Sequence, residues 1–153
     1  MQTFYPYIDA VSVAKCLDYR RLGKQRVEVL QILQCLLIKP TQWQNHPAVK
    51  MWKGYEAALA KYGIIMCEEW IKRGYKDTCK LKIWMLWSKC WDKMDPVIPP
   101  WLGDEVFHRS HQSNLVRKYP EHYRKYFPNV PNDLLYYWPT KDNTYLHELR
   151  RVI

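Results

Sequence analysis

Apolar positions along the chain recur at the spacing of amphipathic helices. Between residues 9 and 38, one face of a helix drawn at 100° per residue collects Leu22, Val29, Leu30, Leu33 and Leu37. Asp9 is the predicted N-cap, Pro40 ends the region, and Gly23 is a candidate point of division. Val, Ile and Thr never alternate with polar residues over the length of a strand, so no sheet is expected.

A second helix is predicted to start at Pro47, to continue through Gly63 to about Arg73, and to stop at Gly74. A third is predicted after Asp77 as its cap, and its apolar stripe is assigned to the core: Leu81, Trp84, Trp87 and Trp91.

Residues 95–105 are expected to form a turn-rich stretch, since they are rich in proline. Short helices are predicted over residues 108–118 and from Pro120, before an irregular, Pro/Tyr-rich tail over residues 128–153. The whole pattern predicts one compact all-α helical bundle, a single domain over residues 1–153 with five or six helices.

Charge adds a function class to this fold. Lys and Arg total 24 against 15 Asp and Glu, giving a net charge of +9, which favours polyanionic partners. Eight Trp and twelve Tyr supply ring faces on which exposed bases could stack. Composition therefore favours nucleic-acid binding, the alternative being a basic surface around an aromatic core.

Cysteine spacing and hydropathy bear on compartment and cofactors. The five cysteines form no CxxC pair, so buried free thiols are expected, with no metal and no cofactor. No apolar run approaches a membrane span, and the first ten residues resemble no signal peptide. We expect a soluble, monomeric, cytoplasmic protein without a membrane partner, with access to the nucleoid, or to the nucleus if the host is eukaryotic or viral.

The first candidate constellation is the run DYRRLGKQRVE, residues 18–28. A polar stripe with helical spacing, able to follow a phosphate backbone, consists of Arg21, Lys24, Gln25 and Glu28. Glu28 among cations stays ionised and could stabilise a developing cation or relay a proton. Arg26 projects from the apolar side and needs a carboxylate, carbonyl or phosphate. The alternative is an ordinary solvated helix face.

The second constellation is FHRSHQSNLVRKYPEHYRKYF, residues 107–127, where cations alternate with tyrosines. His108 and His111 are helical neighbours, and the alternative for both is a hydrogen-bonded place near the core. Farther up the chain, Asn45 and His46 precede a helix start, where free N–H groups bind anions, although Asn45 could be a plain cap.

These residues resemble a known family, the pyrimidine-dimer DNA glycosylases of the phage endonuclease V type, and particularly a bacterial and viral branch of it. The branch carries an MQTF-like start, RRLGKQRVE, NHPAVKMW, EWIKRGYKDTC and PPWLGD…FHRSHQSNLVRK, and all are present here. For endonuclease V itself, YRRLGKQRV is similar to YRELPRV, and CEEWIKRGYKDT and YPEHYRKYF resemble its ECLKRGF…KDT and RPTWYKYYG stretches.

The resemblance implies a compact helical fold and a base-excision mechanism for DNA repair. In the family the α-amine of the first residue attacks C1′ of a lesion nucleotide, releases the base and leaves a Schiff base that permits β-elimination, while a glutamate assists. A nucleotide is flipped from the bent duplex. This chain departs at two positions: Gln2 should prevent removal of Met1, and Arg21 aligns with the family's glutamate, so that Glu28 or Asp18 would substitute.

The implied activity is a glycosylase and AP lyase acting on a damaged or modified pyrimidine in duplex DNA, with RNA as a further possible ligand. The predicted catalytic residues are Met1, Glu28, His108 and His111. The predicted nucleic-acid contacts are Arg20, Arg21, Lys24, Gln25, Arg26, Asn45, His46, Arg109, Ser110, Asn114, Arg117, Lys118, Tyr123 and Tyr126. Two alternatives are a non-catalytic binder of distorted DNA or RNA, and a nucleic-acid hydrolase that uses His46, His108 and His111.

Overall fold

The computed structural model describes residues 1–89 and 97–140, and within them it contains seven helices and no strand. The predicted all-α class is confirmed, but the helices outnumber the expected five or six because the first two predicted helical regions are each divided in two. In chain order they are α1 (Ala10–Cys16), α2 (Tyr19–Leu37), α3 (Pro47–Lys50), α4 (Glu56–Lys72), α5 (Cys79–Ser88), α6 (Glu105–Lys118) and α7 (Pro120–Tyr123).

The first helical region is divided near Asp18, not at Gly23. Asp9 caps α1 as predicted, because its carboxylate accepts hydrogen bonds from the backbone amides of Val11 and Ser12. Leu17 and Asp18 are extended, which ends α1 and starts α2. Gly23 lies inside α2, where a Cβ would come within 2.9 Å of the Trp70 ring. Gly23 therefore allows α2 to pack closely against Trp70. The sequence pattern alone had suggested that this glycine divides the helix.

The second predicted helix is also two helices. Gly54, with φ of +92°, turns the chain between α3 and α4, a conformation that glycine adopts without strain. Gly63 remains inside α4, where a Cβ would lie 2.5 Å from Cγ1 of Val29 on α2. Gly74 has φ of +96° just after α4 and is the predicted stop.

Helix α2 lies at the centre of the fold and packs on both α4 and α5. The largest apolar side chains buried completely include Trp52, Leu22, Ile32, Leu33, Leu59, Met66, Ile83 and Phe107. The four cysteines among the described residues are buried free thiols, as expected, and Cys90 lies outside those residues. This core fixes the face of α2 that meets the N-terminal residues.

The apolar stripe of α5 was assigned to the core, and that prediction is wrong for Leu81 and Trp84, whereas Trp87 is partly buried against the core. Leu81 is 67% exposed and Trp84 is 48% exposed, because Ile83 and Leu86 occupy the side of α5 that meets its neighbours. Trp91 lies outside the described residues. Despite this apolar surface, no helix in residues 1–89 and 97–140 is long and apolar enough to cross a bilayer.

The described part of the tail, residues 128–140, contains neither helix nor strand, as predicted. It runs along α6, whose hydroxyls accept its backbone amides: Leu134 N–H donates to Ser113 Oγ at 3.0 Å. Tyr137 N–H donates to Ser110 Oγ at 3.1 Å. The tail therefore covers one face of α6 and brings its aromatic side chains towards α2.

Candidate active-site groove

The N-terminal segment, residues 1–6, crosses the fold between α2, α4 and α6, and side chains bind its backbone. From α2, Gln25 Oε1 accepts the Phe4 N–H at 2.9 Å, while Gln25 Nε2 donates to the Gln2 carbonyl at 2.9 Å. The Gln2 N–H donates to Glu28 Oε2 at 3.2 Å. The supposed solvated stripe of α2 is thus partly internal, with Gln25 only 1% exposed and Glu28 6% exposed.

His108 and His111 hold the same segment from α6. His111 Nδ1 accepts the Tyr5 N–H at 2.8 Å, and His108 Nδ1 lies 2.7 Å from the Tyr5 carbonyl. Because His108 Nε2 accepts the Gly103 N–H, its Nδ1 must carry the donated proton. Burial, followed by the nearby His108, lowers the pKa of His111 to about 3. Both histidines therefore hold the backbone of Tyr5 in place, and neither lines the groove described next.

A groove of about 980 Å³ opens where the N-terminal segment, α2 and the start of α7 meet. Its cationic lining consists of Lys15, Arg20, Arg21, Lys24, Arg73 and Lys118. Its aromatic lining consists of Phe4, Tyr19, Tyr119, His122, Tyr136 and Trp138. Two carboxylates, Asp18 and Glu28, face this positive surface. Rings and cations together match the needs of a strand with displaced bases.

Met1 and Glu28 both line this groove, and the positive N-terminus is close enough to Glu28 to act on its carboxylate. Burial raises the pKa of Glu28, while the Gln2 amide, the positive N-terminus and Lys24 oppose that rise. The Lys24 ammonium lies 3.8 Å from Glu28 Oε1. A carboxylate with a raised pKa beside an amine is suited to taking up and returning a proton.

Asp18, the other carboxylate considered from the sequence, is already occupied. Its side chain accepts from the Tyr123 hydroxyl and pairs with Arg21 at 3.2 Å. Burial opposes its ionisation, but these partners hold the pKa of Asp18 below its usual value. Asp18 is therefore a fixed anion that anchors Tyr123 and Arg21.

A family model described as pyrimidine dimer DNA glycosylase matches residues 1–83 of the 153. This chain belongs to the pyrimidine dimer DNA glycosylase family. The predicted membership is confirmed, and the family implies damaged DNA as the substrate. Neither the curated proteins nor the solved structures gave a match. In this glycosylase-family chain, Met1 and Glu28 lie within the matched residues, whereas Lys118 and the tail residues of the groove wall lie beyond them.

The groove brings together seven of the eighteen site residues predicted from sequence for this glycosylase-family chain. The predicted residues that line it are Met1, Arg20, Arg21, Lys24, Gln25, Glu28 and Lys118. Arg20 and Lys24 are exposed on α2, and the exposed Lys118 is the last residue of α6. Residues far apart in sequence therefore converge on one surface.

Arg26 obtains the carboxylate that its position demanded, but on the far side of α2. It pairs with Asp77, which also accepts from the amides that start α5. The guanidinium lies over the Trp70 ring at 4.3 Å, and its side chain is 11% exposed. The prediction that Arg26 contacts a phosphate is therefore corrected. Its guanidinium binds Asp77 and Trp70 and so links α2, α4 and α5.

Most of the polar residues predicted on α6 bind the protein itself. Asn114 is fully buried and donates to the Leu134 carbonyl at 3.2 Å. Arg117 donates to Asn114 and to the tail, and Ser110 accepts a hydrogen bond from the tail residue Tyr137. These side chains are engaged by the protein itself, because the tail carries backbone groups that need partners.

The remaining predicted nucleic-acid contacts also lie away from the groove lining. Tyr123 is completely buried. Tyr126 is partly exposed beside His122. Arg109 is exposed beside a separate depression that Pro6 and Gln112 help to line.

The helix start at residue 47 is capped by His46, so Asn45 is not the cap. His46 Nδ1 accepts the Ala48 N–H at 3.0 Å, while Asn45 is exposed. The ring of His46 meets Trp138 edge-on at 5.7 Å, behind the groove wall. Among residues 1–89 and 97–140, no group of three or more His, Cys, Asp or Glu side chains could hold a metal ion.

Several groove residues were missed from the sequence. Tyr19 and Tyr119 are each about half exposed, and they flank Arg20, which donates to the Tyr19 hydroxyl at 3.0 Å. Their positions directly beside cations were a usable signal. Tyr136 and Trp138 gave none, since only the course of the tail along α6 brings them to α2.

Proposed function

We propose that this protein is a DNA glycosylase with AP lyase activity on a damaged or modified pyrimidine, and that the Met1 amine is its nucleophile. Family membership supports a damaged-DNA substrate. The observation that carries the proposal is the meeting of the N-terminus and Glu28 in one cationic, ring-lined groove. The amine and the carboxylate are the two groups that this chemistry requires.

The covalent step is an attack of the neutral amine on C1′ of the lesion nucleotide. The C1′–N bond to the base breaks, the base leaves with its electron pair, and the new amine substituent loses a proton. The sugar ring then opens: the C1′–O4′ bond breaks, O4′ takes up a proton, and the protonated Schiff base forms at C1′. Glu28 takes up the proton that the amine loses, and the raised pKa of its carboxyl suits it to return that proton to O4′. Once it is ionised again, the carboxylate stabilises the iminium. β-Elimination of the 3′ phosphate then breaks the strand.

The exposed cations of the groove bind the strand on either side of the reacting sugar. Arg20 and Lys24 project from α2, and Lys118 faces them from α6. Arg21 is paired with Asp18 and supplies a fixed positive wall. The exposed rings of Tyr19 and Tyr119 offer faces on which a displaced base can stack, which offsets the cost of unstacking it.

Borohydride trapping on abasic-site duplex DNA tests the proposal. The native protein should form a covalent adduct, and protein whose α-amine has been blocked by reductive methylation under N-terminus-selective conditions should form none. Lysine-methylated protein with a free α-amine is the matched control. Absence of an adduct with every abasic and lesion substrate would remove the lyase from the account.

A second candidate is a binder of distorted DNA or RNA that performs no chemistry. Arg21 favours it, because this cation aligns with the family's catalytic glutamate and is engaged with Asp18. Binding alone predicts that log K falls by about 0.9 per phosphate neutralised when log salt rises, with no strand cleavage. The hydrolase alternative receives no support from the geometry, since His108 and His111 bind the Tyr5 backbone.

A further inference from the structure

The side chain of Gln25 lies at the centre of the contacts around the N-terminal segment. Its Oε1 accepts from the Phe4 N–H at 2.9 Å and from the Tyr62 hydroxyl at 2.8 Å. Its Nε2 donates to the Gln2 carbonyl at 2.9 Å and to Glu28 Oε2 at 3.1 Å. A glutamine amide offers two donor hydrogens and two acceptor lone pairs, so all four positions are used.

These contacts make the two oxygens of Glu28 unequal. Oε2 accepts from Gln25 and from the Gln2 amide, at 3.1 and 3.2 Å. Oε1 lies 3.8 Å from the ammonium of Lys24, whose side chain is 72% exposed. Oε2 is therefore held by two amide donors, whereas Oε1 lies beside the exposed, groove-lining Lys24.

We propose that Gln25 is a positioning residue that fixes Glu28 and the backbone behind Met1 as one unit, with Glu28 Oε1 presented to the amine. The inference rests on the proposed function for its catalytic consequence. It also replaces the sequence-based expectation that Gln25 contacts nucleic acid, because its amide is saturated by protein partners.

The hydrogen bond from Gln25 stabilises the ionised form of Glu28. Burial raises the pKa of Glu28, and Gln25 is one of the groups that oppose the rise. The other titratable groups that interact with Glu28 are the Met1 amine, Lys24 of α2, Tyr62 of α4, Lys118 of α6 and Tyr136 of the tail. Removing the Gln25 amide leaves these in place, so the pKa of Glu28 should rise further.

The test compares Gln25→Met with the native protein. Methionine keeps the length of the side chain without the amide. In the free protein, carbon-13 NMR titration of the Glu28 carboxyl, assigned by its loss in Glu28→Gln, should show a higher pKa. Single-turnover adduct formation on abasic DNA should fall by about tenfold or more, because misplacement of a reacting group is costly. DNA affinity should stay within about twofold, since the Gln25 side chain is only 1% exposed in the groove and its amide is engaged by protein partners.

Gln112→Met is the matched control, because Gln112 Nε2 also donates to a carbonyl of the segment, that of Pro6 at 2.8 Å. It should leave the Glu28 titration unchanged. If Gln25→Met does not fold, Gln25→Glu keeps both acceptor positions and should raise the Glu28 pKa through like charge. A native Glu28 titration and a native adduct rate in the folded variant would overturn the proposal. A native protein that forms no adduct would remove the proposed function, while the titration still decides the role of Gln25.

Discussion

Helices α2 and α6 both turn polar and charged side chains towards the N-terminal segment, and both resemble nucleic-acid-binding stripes in sequence. On α2, Gln25 and Glu28 bind the segment while Arg20 and Lys24 remain exposed in the groove. On α6, the polar residues bind either the segment or the tail, and Lys118 at the helix end lines the groove. The two helices differ in how many backbone groups of the neighbouring extended segments need hydrogen bonds from their side chains.

This difference explains why similar sequence patterns have different uses. Helix α6 is covered by two extended segments that lack partners of their own, residues 1–6 and the tail. Buried amides and carbonyls need hydrogen bonds, so its histidines, serines and asparagine are engaged. Helix α2 is covered by only one such segment, and its Arg20 and Lys24 stay exposed in the groove, where an external ligand can reach them.

The largest expected effect separates the two carboxylates of α2. Glu28→Gln should reduce adduct formation by about 100-fold or more, because it removes the proton acceptor beside the amine. Asp18→Asn is the matched comparison, and it should retain adduct formation within about tenfold, since Asp18 is held by Tyr123 and Arg21. Single-turnover trapping on abasic DNA measures both. Equal losses would show that the groove does not distinguish the two groups.

The next effect concerns stability on the α6 side. His111→Ala should lower the free energy of unfolding by about 3 kcal/mol, because it leaves the Tyr5 N–H buried without a partner and opens a cavity. Urea denaturation measures the loss. An effect below about 1 kcal/mol would mean that the segment is held without this contact.

His111 also makes stability depend on pH. Its pKa is lowered to about 3 in the folded protein by burial, against about 6.5 in the unfolded chain. The unfolded chain therefore binds the proton first, and stability falls as pH drops from about 6.5 towards 3, by about 1.4 kcal/mol per pH unit. His111→Gln removes this titrating group, so the slope of the unfolding free energy against pH should fall by the contribution of one proton. Denaturation at pH 7, 6 and 5 checks the slope, and an unchanged slope would contradict the assignment.

The smallest effect tests which helix meets the phosphates. Arg20→Ala should weaken binding to abasic duplex DNA by about tenfold and reduce the salt slope of log K by about 0.9. Arg109→Ala on α6 should change the affinity by less than about twofold, because Arg109 lies outside the groove. Fluorescence anisotropy over a range of salt concentrations measures both. The reverse ranking would move the interface to α6.

Much of the fold was predictable because helical periodicity and caps are local signals. The all-α class, the Asp9 cap and the Gly74 stop follow from neighbouring residues. The breaks at Asp18 and Gly54 and the inward-facing glycines did not, since they depend on which side chain packs opposite. The outward stripe of α5 was missed because apolarity alone does not tell which side meets α2.

The site was predictable where one element supplies it. Arg20, Arg21, Lys24 and Glu28 follow each other on α2, so their common surface could be inferred. His108 and His111 were assigned to chemistry because nothing in the sequence says that Tyr5 needs partners from α6. Tyr136 and Trp138 reach the groove only through the path of the tail, which is a tertiary property.

The proposed mechanism is tested most sharply by identifying the nitrogen atom that carries the trapped sugar. After borohydride reduction on abasic DNA, nuclease and protease digestion followed by tandem mass spectrometry locates the remnant. We expect the remnant on the α-nitrogen of Met1, which lines the groove together with Glu28. A remnant on Nζ of Lys24 or Lys118, with the Met1 nitrogen unmodified, would contradict the proposed mechanism.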